Sequence, residues 1–213
     1  MVRQTGRDVF VRYVKAFGFG EKTGITLSGE MPGIISSLDK RGDIYAYTGS
    51  YGQGLTATPL QLITGYAAIA NGGKLLRPYI VSEEITSLQE TVVTQPKIIR
   101  EVISPRTATL LTGMLTSVVE NSYDHQARVP GYHLAGKTGT AQIASPKGGY
   151  GDETIHTFIG FGPTSNPRFV ILVKLDKPQG PRFASSTITP LFSELAKFLL
   201  NYYKIPPDYQ VTN

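Results

Sequence analysis

The residues best suited to chemistry lie in one run, Gly136-Lys137-Thr138-Gly139-Thr140-Ala141-Gln142. On an extended strand this order makes a specific kind of site. Lys137 supplies fixed positive charge for a carboxylate, and Thr138 supplies an O–H donor. Gly139 leaves no side chain in the way, so an extended peptide can approach the backbone and add to the strand's edge. The N–H of Thr140 can then point at a developing oxyanion. An ordinary strand with a glycine bulge satisfies the same letters. The chain carries a second copy, Lys22-Thr23-Gly24, which follows a helix end within a glycine loop and reads as turn-making.

The same region contains a decoy. Gly131 to Thr138 matches G-x-x-x-x-G-K-[ST], the pattern of a phosphate-binding loop. Phe169 to Asp176 resembles the apolar strand ending in an Mg²⁺-binding aspartate. A phosphate loop needs a helix whose N-terminus faces the phosphates. Here Tyr132-His133-Leu134-Ala135 is strand-like, and Gly139, Pro146, Gly148, Gly149 and Gly151 follow, which no helix survives. His125, His133 and His156 show no metal-ligand spacing and read as surface or satisfied interior histidines. No cofactor or metal is expected. A G-x-S-x-G nucleophile elbow is absent from the sequence.

Composition bounds the rest. Of 213 residues, 40% are hydrophobic and 17% charged, which reads as globular and excludes a charge-solvated disordered chain. The 23 glycines and 14 prolines predict many turns. The lack of cysteine removes disulfides, thiolate nucleophiles and Cys-ligated zinc. The net charge of +5 is spread along the chain without a dense run, so it reads as a solvated basic surface and no nucleic-acid partner is expected. No run approaches the ~18 consecutive apolar residues of a membrane span. The opening Met1 to Arg7 has no apolar core and does not read as a signal peptide.

The positioning elements follow from periodicity. Phe10, Tyr13, Val14 and Phe17 share a helical face over 7–17, ended by Gly18 and Gly20. Residues 18–57 read as long loops. Thr58, Pro59 and Gln61 form a T-x-x-Q capping box opening a helix, with Leu60, Ile63, Ala67 and Ala70 at helical spacing. Residues 75–103 read as short strands and turns, among them Tyr79 to Val81 and Thr91 to Val93. Ser104-Pro105 opens a helix with an apolar face of Leu110, Leu111, Met114, Leu115 and Val118, and the polar stretch 121–131 breaks structure. Three strands follow, 132–142, 154–162 and 168–174. The loops 146–151 and 163–167 between them are short enough to favour an antiparallel meander. Thr189-Pro190 opens a last helix with Leu191, Leu195, Phe198, Leu199 and Tyr202 on one face, stopped by Pro206-Pro207. The fold class is α+β: 1–131 mainly helices and loops, 132–204 a three-stranded antiparallel sheet plus a C-terminal helix.

Five motifs in series then resemble one family. They are Phe17 to Ile25 (FGFGEKTGI), Gly29-Glu30, Gly52 to Leu62 (GQGLTATPLQL), Tyr66 to Gly73 (YAAIANGG) and Gly136 to Gln142 (GKTGTAQ). Their order and spacing are similar to the transpeptidase domain of class B penicillin-binding proteins across nearly the whole chain. The resemblance implies the C-terminal portion of that single domain, with an incomplete penicillin-binding/β-lactamase-like fold. It implies a D,D-transpeptidase that cross-links peptidoglycan stem peptides and is acylated by β-lactams, with other cell-wall synthesis proteins as partners. It places the parent protein on the extracytoplasmic face of the bacterial cytoplasmic membrane. The family pattern makes Lys137, Thr138 and Gly139 catalytic, Thr140 and Gln142 substrate-binding, and the Thr140 N–H half of an oxyanion hole.

The family's other two motifs, S-x-x-K and S-x-N, are expected upstream of Phe17. Ser37-Leu38-Asp39-Lys40 fits S-x-x-K in letters but lies downstream, in a loop between Gly33 and Gly42. The nucleophile should open a buried helix, where serine and lysine meet one turn apart. No S-x-N occurs, and Thr164-Ser165-Asn166 reads as a turn. The expectation is a chain that forms no acyl-enzyme alone and whose strand 168–174 has an open edge. Two other readings stay open at this stage: a non-catalytic module that binds a peptide or partner by strand addition, and a P-loop NTPase.

Overall fold

A computed structural model describes residues 2–122, 125–145, 148–180 and 183–211. Met1, Tyr123, Asp124, Pro146 and Lys147, on which parts of the sequence reading fall, lie outside them. The chain forms two compact units, 1–68 with 73–104, and 69–72 with 105–213.

The first unit opens with helices α1 (Val2–Thr5) and α2 (Arg7–Ala16). Tyr13 of the anticipated apolar face is exposed. The segment 18–57 is not all loop. It contains a 3₁₀ turn at Ser36–Asp39 and helix α3 (Ile44–Gly49). Helix α4 (Pro59–Ala70) starts at the anticipated capping box. The Gln61 N–H donates to Thr58 Oγ1 at 3.2 Å, and the Thr58 N–H donates to Gln61 Oε1 at 2.9 Å. Its buried line is Gln61, Thr64, Gly65 and Ala68 rather than Leu60, Ile63, Ala67 and Ala70. The reason is polar. Gln61 Nε2 faces the carbonyls of Gly18, Glu21 and Pro32 at 3.2, 2.8 and 2.7 Å, so the helix turns its glutamine inward to tie down the glycine loops.

Two antiparallel ribbons complete this unit: β1 (Lys74–Arg77) with β4 (Lys97–Glu101), and β2 (Glu83–Ile85) with β3 (Thr91–Val93). Tyr79 to Val81, anticipated as a strand, is irregular. It lies beside Pro78, which lacks an N–H for a ladder.

The second unit holds helix α5 (Pro105–Asn121) and the meander β5 (Ala135–Ala144), β6 (Tyr150–Gly162) and β7 (Phe169–Asp176), in spatial order β5-β6-β7. Both pairings are antiparallel, as the short loops required. Strand β6 starts four residues earlier than expected, because Tyr150 pairs with Ala144 past an irregularity in the register. A short helix α6 (Ala184–Thr187) and the C-terminal helix α7 (Thr189–Tyr202) follow.

Two helix faces differ from the periodic reading. In α5, Leu110 and Met114 are exposed, while Ala108 and Val119 are buried. In α7, Leu191, Leu195, Phe198 and Tyr202 face outward, and Thr189, Phe192, Ala196 and Leu200 face the core. Both lines have helical spacing, so periodicity alone does not choose. The contact with the sheet does. The ring of Phe192 lies against Phe158 with centroids 4.5 Å apart and fills the space above Gly160, where an added Cβ would sit 2.6 Å from it. Phe158, Phe192, Leu134 and Leu200 are almost fully buried. Side chains of this size each contribute about 1.5–3 kcal/mol when taken from water, which fixes α7 on this face.

Candidate active site

Strand β5 is an edge strand, hydrogen-bonded to β6 on one side. That settles the decoy: Lys137 and Thr138 lie inside a strand, with no helix after them, so this is not a phosphate loop. Asp176, at the end of β7, pairs with Lys174.

The register assigns the faces. Thr138 lies opposite Phe158, Thr140 opposite His156, and Gln142 opposite Thr154. Cross-strand partners share a face, so these three side chains lie on the α7 side, where Phe158 packs. Lys137, Gly139 and Ala141 lie on the other side, opposite Ile159, Thr157 and Ile155. Although 137 and 138 leave the strand on opposite faces, the Lys137 ammonium folds back onto its neighbour. Its Nζ donates to Thr138 Oγ1 at 3.3 Å and to the Thr138 carbonyl at 3.2 Å. Charge and hydroxyl are therefore concentrated at one exposed point of the edge strand.

Gly139 has a reason the sequence did not disclose. A Cβ there would collide with Thr157 Oγ1 on β6. The glycine lets Thr157 close over the strand while keeping the face flat. The exposed Thr140 is held from behind, its Oγ1 accepting from the Ala184 N–H at 3.3 Å. Gln142 donates to the Gly151 carbonyl at 3.4 Å. Thr140, Gln142, Asp152, Thr154 and Phe183 line an open hollow of about 460 Å³ beside the strand. Of these, Asp152, Thr154 and Phe183 were not anticipated, and no motif in the sequence marks them. A smaller hollow of about 230 Å³, lined by Pro163, Arg168, Ile205 and Asp208 among others, holds none of the anticipated residues.

The two decoy motifs of the first unit have structural roles. The Glu30 carboxylate accepts from the Thr23 N–H (2.7 Å), the Thr23 hydroxyl (2.6 Å) and the Gly24 N–H (3.2 Å). Gly24 has φ +79°, and Lys22-Thr23-Gly24, read as turn-making, is instead an irregular loop segment whose N–H and hydroxyl groups are taken by an internal carboxylate. Desolvation pushes the Glu30 carboxyl up, but these hydrogen bonds and the nearby Lys22 outweigh it and hold the group below its usual range. Ser37 lies in the 3₁₀ turn and donates to the Gly54 carbonyl at 2.6 Å. Lys40 instead sits over the Tyr45 ring, 5.5 Å from its centroid. Serine and lysine are not brought together as a nucleophile and its base.

This geometry belongs with the comparisons to known proteins. The family model described as "Penicillin binding protein transpeptidase domain" matches residues 1–197.

The chain belongs to the penicillin-binding protein transpeptidase domain family.

Among its relatives, the stage V sporulation protein D of Bacillus subtilis is 36% identical over 205 residues, 95% of this chain and 32% of that protein. Penicillin-binding protein PbpB of Mycolicibacterium smegmatis is 36% identical over 224 residues, covering 98% and 34%. The solved penicillin-binding protein 3 of Mycobacterium tuberculosis, complexed with ampicillin, matches with a TM-score of 0.87 at 32% identity, over 99% of this chain and 49% of that one. The transpeptidase family chain thus spans about a third of the length of the curated relatives it matches. The α+β architecture anticipated from the motifs is that of these domains. No described helix is long and apolar enough to cross a membrane.

Proposed function

We propose that this chain is the substrate-binding part of a peptidoglycan D,D-transpeptidase. The observation that carries the reading is the open edge of β5, where the Lys137 ammonium and the Thr138 hydroxyl meet 3.3 Å apart. A stem peptide adds antiparallel to this edge. Its terminal carboxylate docks on Lys137 and Thr138, and Gly139 keeps the strand face flat there. Thr140 and Gln142 contact the peptide along the hollow, and the Thr140 N–H stabilises the oxyanion formed when a serine hydroxyl adds to the peptide carbonyl. A β-lactam occupies the same strand and acylates the same serine.

That serine and its lysine come from sequence outside these 213 residues. The structure of Ser37 supports this, because its proton is committed to Gly54. In this reading the parent protein works at the extracytoplasmic face of the cytoplasmic membrane with other cell-wall synthesis proteins. The test is labelling by a fluorescent penicillin, applied to the 213-residue chain and to the product of its complete reading frame. Covalent label in the longer product and none in the chain is expected. No label in either refutes the transpeptidase reading and leaves a non-catalytic peptide-binding module. Label at Ser37 refutes the assignment of the nucleophile to another segment.

A further inference from the structure

His156 is fully buried on β6 and sits between two hydroxyls. Its Nδ1 lies 2.9 Å from Thr187 Oγ1 and its Nε2 3.0 Å from Thr154 Oγ1. Its neighbour on the same face, Phe158, fills the same kind of space with an apolar ring. A polar ring costs desolvation there unless its partners matter. The partners lead to the site. The Thr187 hydroxyl donates to the Ala184 carbonyl at 3.3 Å, so it meets the imidazole as an acceptor. This closes the single turn of α6. The N–H of the same Ala184 donates to Thr140 Oγ1, and Thr140 lies directly across the ladder from His156.

A threonine hydroxyl has one proton and two lone pairs. The Ala184 N–H occupies a lone pair of Thr140, so the Thr140 proton is directed elsewhere. The exposed side of the strand is where an anionic ligand would receive it.

We propose that His156 is a positioning residue for Thr140. By clamping Thr187 it holds the α6 turn under β5, keeps the Ala184 N–H on Thr140 Oγ1, and reserves the Thr140 proton for the carboxylate of the incoming peptide or β-lactam. The inference rests on the transpeptidase reading for the identity of that ligand. The clamp itself does not depend on it.

The experiment uses the product of the complete reading frame. His156→Phe keeps a ring of similar size and removes both hydrogen bonds. His156→Gln restores a donor and an acceptor. Acylation by benzylpenicillin is resolved into the dissociation constant of the initial complex and the rate constant of the acylation step. His156→Phe should raise the dissociation constant about three- to tenfold, the size of one hydrogen bond, and leave the acylation step within about twofold. His156→Gln should recover most of the loss. In a Thr140→Val background, His156→Phe should add nothing. An equal loss in that background, or no loss in the wild-type background, overturns the inference.

Amide hydrogen exchange over 183–189 is the second readout. Exchange at Ala184 should speed up in His156→Phe and return toward wild type in His156→Gln, and unchanged exchange overturns the clamp. Thr187→Val breaks the same link from its less buried end and stands in if His156→Phe does not fold. If the wild-type protein is not acylated at all, the transpeptidase reading fails and the role toward a carboxylate fails with it. The exchange measurement still decides the clamp.

Discussion

Gln61 gives the sharpest test of how the glycine loops of the first unit are held. The side chain is 1% exposed. Its Oε1 accepts the Thr58 N–H, and its Nε2, with two hydrogens, faces three carbonyl oxygens at 3.2, 2.8 and 2.7 Å. Gln61→Ala removes all of these. The Gly18 carbonyl keeps a second donor, the Glu21 N–H at 3.4 Å, but those of Glu21 and Pro32 lose this one. A buried acceptor stripped of its donor costs about 1–3 kcal/mol, and water entering the space vacated by the side chain recovers part of that. Losing half of a capping box costs about 1 kcal/mol. The sum is about 3 kcal/mol, a large share of the ~5–15 kcal/mol that holds a domain together. At about 2–4 °C per kcal/mol for a chain of this size, the melting temperature should fall by roughly 6–12 °C.

Gln61→Glu sharpens the test. It keeps the acceptor for Thr58 but brings a carboxylate against three carbonyls, so it should be worse than alanine. Thermal melts and urea titrations of the purified variants decide the matter. An alanine variant within 1 °C of wild type, or a glutamate variant more stable than alanine, refutes the argument that the amide donors organise these loops.

Two further outcomes follow from named contacts. Lys137→Ala in the penicillin-labelled protein should slow acylation by roughly ten- to a hundredfold, since a charge pair near 4 Å at a partly exposed site is worth about 1–3 kcal/mol; near-normal labelling rates would remove Lys137 from the site. The depressed Glu30 carboxyl stabilises the fold at pH values above its unfolded-state range, and that contribution is lost as pH falls through the lower folded value. Glu30→Gln should therefore lower stability by about 1 kcal/mol at neutral pH, with the difference from wild type shrinking below the ordinary carboxylate range; a difference that does not change with pH in urea titrations would show that the charge plays no part.

The sequence displayed some of this and hid the rest for identifiable reasons. The capping box at Thr58 and Gln61, the Ser104-Pro105 and Thr189-Pro190 starts and the three-strand meander were legible because caps, prolines and short loops act locally. The inward faces of α4, α5 and α7 were not, because each helix offers two apolar or mixed lines at helical spacing. In α7 the choice between Leu191-Leu195-Phe198 and Phe192-Ala196-Leu200 was made by the bare backbone of Gly160 on β6, which accepts the ring of Phe192.

The same division runs through the site. Lys137, Thr138 and Gly139 declare themselves by type and order, because charge, hydroxyl and a missing side chain are chemical statements. What lies behind these three is recorded fifteen to fifty residues further along, in Thr154, His156, Thr157, Ala184 and Thr187, whose letters carry no motif. Thr157 explains why residue 139 lacks a side chain, and Ala184 explains how the Thr140 hydroxyl is turned. Identical letters elsewhere make the point in reverse. Lys22-Thr23-Gly24 gathers a carboxylate onto a threonine hydroxyl and backbone N–H groups, and that carboxylate is the chain's own Glu30. What sets the proposed binding site apart from this loop closure is the edge position of β5, where the proposed carboxylate comes from outside the chain.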